Sequence, residues 1–181
     1  AEYQKHITVL LNVLGNKNSS EVAKNIVDFE KSLAKSYLTL EQGRDANKRY
    51  NPKTTAELSA MVKNVNLPKY LKNVGVNTDR VIIGELAYYE KLDSFINEKN
   101  LPLLKDYMKV RLLSGNAGVL NQNMDKLNFD FYSKYLQGQE EQRALNKRGL
   151  QMINGVLGEA FGKLYVEKYF PAEAKERMLK L

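Results

Sequence analysis

Cysteine is absent from this 181-residue chain, and histidine occurs once, as His6. Without cysteine there is no disulfide and no thiolate metal site. Zinc sites are built from several His and Cys ligands with a few carboxylates, so one histidine leaves too few donors for a zinc site within the chain. The same scarcity excludes a His-Glu-x-x-His motif and any Cys/His pair, and a Ser/His/Asp arrangement would have to use His6 as its base. Long apolar runs are lacking too: none approaches the roughly 18 to 20 residues of a membrane span. The first residues, "AEYQKHITVLL", place polar groups inside the apolar run, which is unlike a signal peptide. There is no internal repeat, no low-complexity segment and no linker long enough to divide the chain. The chain does not begin with methionine and reads as an excised piece of something larger. Lack of cysteine leaves the compartment open, with an extracytoplasmic one favoured over the cytoplasm.

What is present has the balance of a folded, soluble domain: 43% hydrophobic and 27% charged residues. A chain of this length buries roughly 70% of its unfolded surface. The net charge is +7, but the basic residues are spread out. The densest clusters, "RDANKR" (44–49) and "RALNKR" (143–148), read as solvated faces rather than nucleic-acid sites.

Helical periodicity dominates. "YQKHITVLLNVLG" predicts a helix closed by Gly15. Asn18 as N-cap with Glu21 three residues on predicts a capping box for the next helix, whose Val22, Ile26, Phe29, Leu33 and Tyr37 share one face. Thr39 with Gln42, and Thr54 with Glu57, repeat the box spacing on either side of a polar segment where Asn51-Pro52 predicts a turn. Pro68 suits the first turn of another helix, with Gly75 near its end. "RVIIG" is the one strand-like run, leading into a helix around "ELAYYEKLDSFI". Pro102 opens a helix whose face continues through Leu104, Met108 and Arg111 or Leu112, and "SGNAG" predicts a break. "NMDKLNFDFYSKYLQG" predicts a helix up to Gly138, and Pro171 starts a final short helix. These elements predict an all-α, multi-helix fold in a single domain over residues 1–181.

The last long helix is expected to begin near Gln139 to Gln142 and to run to about Tyr169. It keeps Gly155, Gly158 and Gly162, although glycine costs about 1 kcal/mol against alanine inside a helix. On a regular helix these glycines form one stripe. Ile153, Val156, Leu157, Ala160, Phe161 and Leu164 cover a wide apolar face, and only Glu159, Lys163 and Glu167 form a charged strip. The pattern predicts a helix buried on two sides, with the glycines admitting a neighbouring backbone and with leucine at 158 or 162 overpacked by more than ~1 kcal/mol. "GVLGEAFG" is not read as a phosphate loop, because no strand precedes it.

No residue set forms a visible active site. His6 lies among apolar neighbours and reads as a packing or surface residue. Glu140 and Glu141 suit a helix N-terminus, where the macrodipole favours negative charge. Phe129, Phe131, Tyr132 and Tyr135 read as core rather than as a stacking platform, and adjacent Tyr88 and Tyr89 point to different helix faces.

The order of segments nonetheless resembles a known family. "DFEKSLAKSYLTLEQGRDANKRYNPKTTAEL" supplies Glu30, Leu33 and Ala34, then Arg44 and Asp45, Tyr50 and Asn51, Thr54 and Leu58. "INGVLGEAFGKLYVEKYFPAEAKERM" supplies Asn154, Gly162, Leu164, Tyr165, Val166, Glu167, Phe170 and Lys175. From Val22 to Met178 the chain resembles the helical part of neprilysin-like zinc metalloendopeptidases, and its lack of cysteine is similar to bacterial members of the endopeptidase O type. Pro52 and Lys53 depart from the family's usual Lys-Met after Tyr-Asn. The resemblance implies a zinc endopeptidase acting on oligopeptides. Its catalytic domain carries His-Glu-x-x-His and a distal glutamate ligand, and a helical domain encloses the cavity and filters substrates by size. Only the helical domain is matched here, so the resemblance assigns this chain no catalytic, cofactor-binding or metal-binding residue. Glu159 and Glu167 match the helical domain's own helix, not the catalytic carboxylates. Zinc and the catalytic domain would belong to the rest of the same polypeptide, and this chain alone would be inactive. The expected partners are that domain and an oligopeptide substrate, with no nucleic acid and no membrane span. The alternative is a stand-alone helical protein-interaction module.

Overall fold

The computed structural model describes residues 1–180. The first helix, α1 (Glu2–Val13), shows how the sequence pattern becomes packing. Ile7, Leu10 and Leu11 recur at helical spacing, and each is only 1% exposed. Gly15 takes φ 73°, a region that side chains disfavour. Its N–H donates to the carbonyl of Asn12 (2.9 Å) while the Asn16 N–H donates to that of Leu11 (3.0 Å), closing the helix as a Schellman motif.

Helix α2 (Ser19–Ala34) buries Ile26, Phe29 and Leu33 of the expected face, with Ala23 beside them and Val22 half-buried, but it ends before Tyr37, which is 48% exposed. The predicted Asn18 cap does not form. Asn18 sits at φ −113°, ψ 37°, outside the extended region that aims a capping side chain at the first turn. Asn16 organises the corner instead: its side-chain oxygen accepts the Asn18 N–H (2.9 Å), and its carbonyl accepts the Ser19 hydroxyl (2.8 Å).

A polar middle segment follows. It runs through a 3₁₀ turn at Gln42–Arg44, α3 (Ala46–Arg49), β1 (Asn51–Thr54), α4 (Thr55–Met61), α5 (Leu67–Asn73), β2 (Arg80–Ile83) and α6 (Leu86–Phe95). The strand-like "RVII" is indeed β2, and its partner is "NPKT", where a turn was predicted. The two strands pair antiparallel, Asn51 opposite Ile83 and Thr54 opposite Arg80. A two-stranded ribbon is all edge, so Pro52 is tolerated where a central strand would refuse it. Thr54 and Glu57 form the predicted capping box of α4, and Pro68 lies in the first turn of α5.

After a 3₁₀ turn at Glu98–Asn100, α7 (Leu101–Leu120) continues straight through "SGNAG", contrary to the expected break. Ala117 is 1% exposed, and a Cβ on Gly118 would lie 3.8 Å from Asp125 Oδ1 of α8 (Gln122–Asn128). The expected face of α7 is also corrected. Val110 and Ala117 are buried, with Leu103, Tyr107 and Leu113 packed beside them, whereas Met108 and Leu112 point outward. Helices α1, α2, α7 and α8 thus share one core, completed by Met124. Phe29 links them to α6, meeting the rings of Phe95 (4.8 Å) and Tyr107 (5.2 Å) edge-on.

The described backbone divides into two compact units, Ala1–Phe131 and from Tyr132 onward. The second opens within a π-helical turn, Phe129–Tyr135, and passes Gly138 at φ 70°. It then forms α9 (Leu145–Tyr169) and α10 (Ala172–Leu179). Helix α9 starts later than expected, so Glu140 and Glu141 precede it and are not first-turn residues. The described residues are all-α apart from the β1–β2 ribbon, as the periodicity predicted.

The long helix near the C-terminus exists, but its two-sided burial does not: no residue of α9 is buried. Val156 is 75% exposed and Leu164 63%. A Cβ at Gly155 or Gly162 would meet nothing within 4 Å, and one at Gly158 only the Asn154 side chain at 3.7 Å. The glycines therefore admit no neighbouring backbone, and the predicted overpacking at 158 and 162 has nothing to act on. They flank a kink instead. Leu157 leaves helical geometry at φ −121°, ψ 27°, between Gly155 and Gly158, and glycines are among the few features that bend a helix sharply.

Candidate functional site

Polar chemistry gathers in three places, all within residues 1–131. The first is a clamp. Asp93, on α6 and 8% exposed, accepts the backbone N–H groups of Lys63 (3.1 Å) and Asn64 (2.7 Å) just after α4. The Asn64 amide donates back to the Asp93 carbonyl at 3.0 Å. A carboxylate so occupied holds two segments together and offers little to a ligand.

The second place is the histidine. His6 is buried and stacks on Phe131, with ring centroids 4.6 Å apart and planes 14° from parallel. Tyr3 stacks on the same ring at 5.6 Å and donates its hydroxyl to Glu30 Oε1 at 3.0 Å. Burial pushes the His6 pKa down, favouring the neutral ring. His6 and Phe131 are therefore core residues, as the sequence suggested, while Tyr135 of the same aromatic group is exposed. Zinc finds no ligand set here: the lone imidazole lies against an aromatic ring, and no three His, Asp or Glu side chains among the described residues cluster to join it.

The third place is the ribbon and the turn before it. Arg44, Arg49, Tyr50, Ile82 and Gly84 line an open depression of about 590 Å³. Three of the acidic groups nearby in sequence are already engaged. Asp45 caps α3 by accepting the Asn47 N–H at 2.9 Å. Glu85 accepts the Leu38 N–H at 3.0 Å. Glu57 accepts the N–H (2.7 Å) and hydroxyl (2.9 Å) of Thr54, bonds that hold its carboxyl below the usual range. Asn51, between Tyr50 and Pro52, ties the strands by donating to the carbonyls of Lys48 and Ile83, each at 2.9 Å.

Other residues singled out by the sequence are dispersed. Tyr88 stacks on Tyr37 at 4.7 Å and meets Tyr89 edge-on at 5.4 Å; burial, then its neighbour Tyr37, raises the Tyr88 pKa. Glu159 and Glu167 lie exposed on α9. The "RALNKR" arginines are turned to their own chain: Arg148 donates to the Arg143 carbonyl at 3.0 Å, and Arg143 to the Gln151 side chain at 3.3 Å. Asp93 was not foreseen, and the "RDANKR" cluster was expected only as a solvated face. Asp93 finds its partners about thirty residues upstream, and no local pattern marks that.

Comparison with known proteins decides the lineage. The N-terminal model of peptidase family M13 matches residues 1–181. The chain belongs to peptidase family M13. It is 29% identical to the neutral endopeptidase of Lactococcus lactis subsp. lactis over 174 residues, which is 96% of this chain and 28% of that protein. Neprilysin-11 of Caenorhabditis elegans is 26% identical over 193 residues, 99% of this chain and 23% of its own length. Among solved structures, the open state of Mycobacterium tuberculosis zinc metalloprotease Zmp1 superposes with a TM-score of 0.87 at 26% identity, covering 97% of this chain and 28% of Zmp1. This M13 chain therefore spans about a quarter of the length of these relatives, and corresponds to the family's N-terminal helical part. No helix among its described residues is long and apolar enough to cross a membrane.

Proposed function

We propose that this chain is the non-catalytic helical cap of a longer neprilysin-like zinc endopeptidase, enclosing the active-site cavity and limiting substrates to oligopeptides. The observation that carries the reading is the one-sided match: 97% of this chain aligns with 28% of a zinc metalloprotease. Among the described residues the one buried carboxylate, Asp93, is spent on backbone N–H groups. The zinc, the activated water and the peptide-bond chemistry belong to the rest of the parent polypeptide.

The partner of the cap is the catalytic domain of the same polypeptide, and α9 is where it docks. A 25-residue helix with Ile153, Leu157, Phe161 and Leu164 all exposed leaves an apolar surface that water penalises. Packing that surface against the remainder of the parent removes the penalty and holds the cap as one wall of the cavity. The parent would act outside the cytoplasm, a location compatible with the absence of cysteine from this chain.

The test is the full-length protein. It should cleave oligopeptides only when zinc is present and should spare a folded protein carrying the same sequence, while residues 1–181 alone cleave neither. Equal cleavage of the folded protein would contradict the size filter. A reading frame that stops after Leu181, with no His-Glu-x-x-His, would favour the interaction module instead.

A further inference from the structure

The depression beside the ribbon has the chemistry of a carboxylate receptor. Arg44 and Arg49 both line it and both are exposed. Among the described residues neither guanidinium makes an ion pair or a hydrogen bond, and the carboxylates of Asp45, Glu57 and Glu85 are held by backbone and hydroxyl donors. The guanidinium of Arg49 lies over Gly84, where a Cβ would come 3.7 Å from Nε and 3.9 Å from a terminal nitrogen. Gly84 thus leaves the floor open beneath it. Tyr50 and Ile82, each 62% exposed, supply apolar surface at the same place.

Two guanidinium groups are forked donors whose geometry matches carboxylates in pairs. The adjacent aromatic and aliphatic side chains suit the rest of a peptide rather than an inorganic ion. Nucleic acid is disfavoured by the same geometry. Duplex binding gathers its affinity from many phosphate contacts along a charged stripe, whereas this is one compact hollow. The second basic cluster is engaged with its own chain.

We infer that the Arg44–Arg49 hollow binds acidic oligopeptides through their side-chain carboxylates. That such peptides are substrates rests on the cap reading; that they bind does not. The hollow is built wholly from residues 43–84, so binding is measurable on the 181-residue chain whatever the rest of the parent does.

The experiment is a titration of that chain with a blocked tetraglutamate peptide, its termini acetylated and amidated, against the matched tetraglutamine peptide. Binding is followed by nuclear magnetic resonance shifts of residues 43–50 and 80–84. Tetraglutamate should bind at those residues and tetraglutamine should not. Arg44→Gln with Arg49→Gln should weaken binding at least tenfold. Arg143→Gln with Lys147→Gln, which removes the same charge elsewhere, should leave it within twofold. Gly84→Leu, which fills the floor and keeps both charges, should weaken it as well, with the melting temperature of each variant confirming that it is folded. Several results would overturn the inference: no binding, equal binding of tetraglutamine, equal loss in the Arg143/Lys147 variant, or random duplex DNA displacing the peptide at the same sites. Failure of peptide cleavage by the parent would bear on the cap reading alone.

Discussion

Helices α2 and α9 look alike on paper and behave oppositely in the fold. Both carry large apolar residues at helical spacing. In α2 that face meets α1 and α7, and Ala23 and Ile26 are almost wholly removed from water. In α9 no residue is buried, although the helix has 25 residues against 16 for α2. Apolar periodicity thus states that a helix wants a partner and is silent on whether the partner lies in the same stretch of chain. The first unit finds its partners within its own 131 residues. On the proposed reading, the exposed face of α9 is where the rest of a longer peptidase packs.

The sharpest way to break this contrast is to truncate one side chain on each helix. Ile26→Ala should cost about 2–5 kcal/mol, the range for a fully buried aliphatic residue losing its contacts. Val156→Ala in the same chain should stay within about 0.5 kcal/mol, as surface changes do. Urea unfolding of the two variants checks both, and similar losses would mean that α9 is packed after all.

A polar counterpart in the first unit comes next in size. Asp93→Ala strands the N–H groups of Lys63 and Asn64 and should cost about 1–3 kcal/mol. Slowed exchange of these two amides in the unaltered chain, lost in the variant, would sharpen the assignment.

The glycines give a smaller effect whose sign carries the information. With open space around Gly162, Gly162→Ala should stabilise α9 by about 0.5–1 kcal/mol in the 181-residue chain. In the full-length parent, where the proposed reading covers that face, the gain should shrink or reverse. A helicity measurement by circular dichroism, made on both proteins, separates the cases.

The subtlest test is a pH profile of the core. The folded-state pKa of His6 lies below its ordinary 6.5 because burial disfavours the charged ring. The unfolded chain therefore binds more protons just below pH 6.5, so the stability from neutral His6 is complete above that pH and is lost as pH falls from it. Stability between pH 6.5 and 5.5 should decline in the unaltered chain and decline less in His6→Gln. Identical slopes would remove His6 from the core account.

Much of the first unit was legible from the sequence because its signals are local. The Gly15 terminus, the Thr54–Glu57 box and the Pro68 start each rest on residues within one helical turn, and each stands in the structure. What was misread depends on distant partners. "SGNAG" is read as a break by composition, but α7 runs on through it, with Ala117 buried in the core that α8 shares. Pro52 suggested a turn because its strand partner begins at Arg80. The glycines of α9 suggested a tight interface and instead border a kink at Leu157. The hollow between Arg44, Arg49 and Gly84 was illegible for the same reason, since it exists only once β1 and β2 pair.

The central claim is that α9 presents its apolar face to the remainder of a longer peptidase. Hydrogen–deuterium exchange of α9 amides tests it most directly, measured in the 181-residue chain and in the full-length parent. The account predicts rapid exchange across residues 150–166 in the short chain and at least a hundredfold slowing in the parent, with α2 protected in both. Equal exchange of α9 in the two proteins would contradict it.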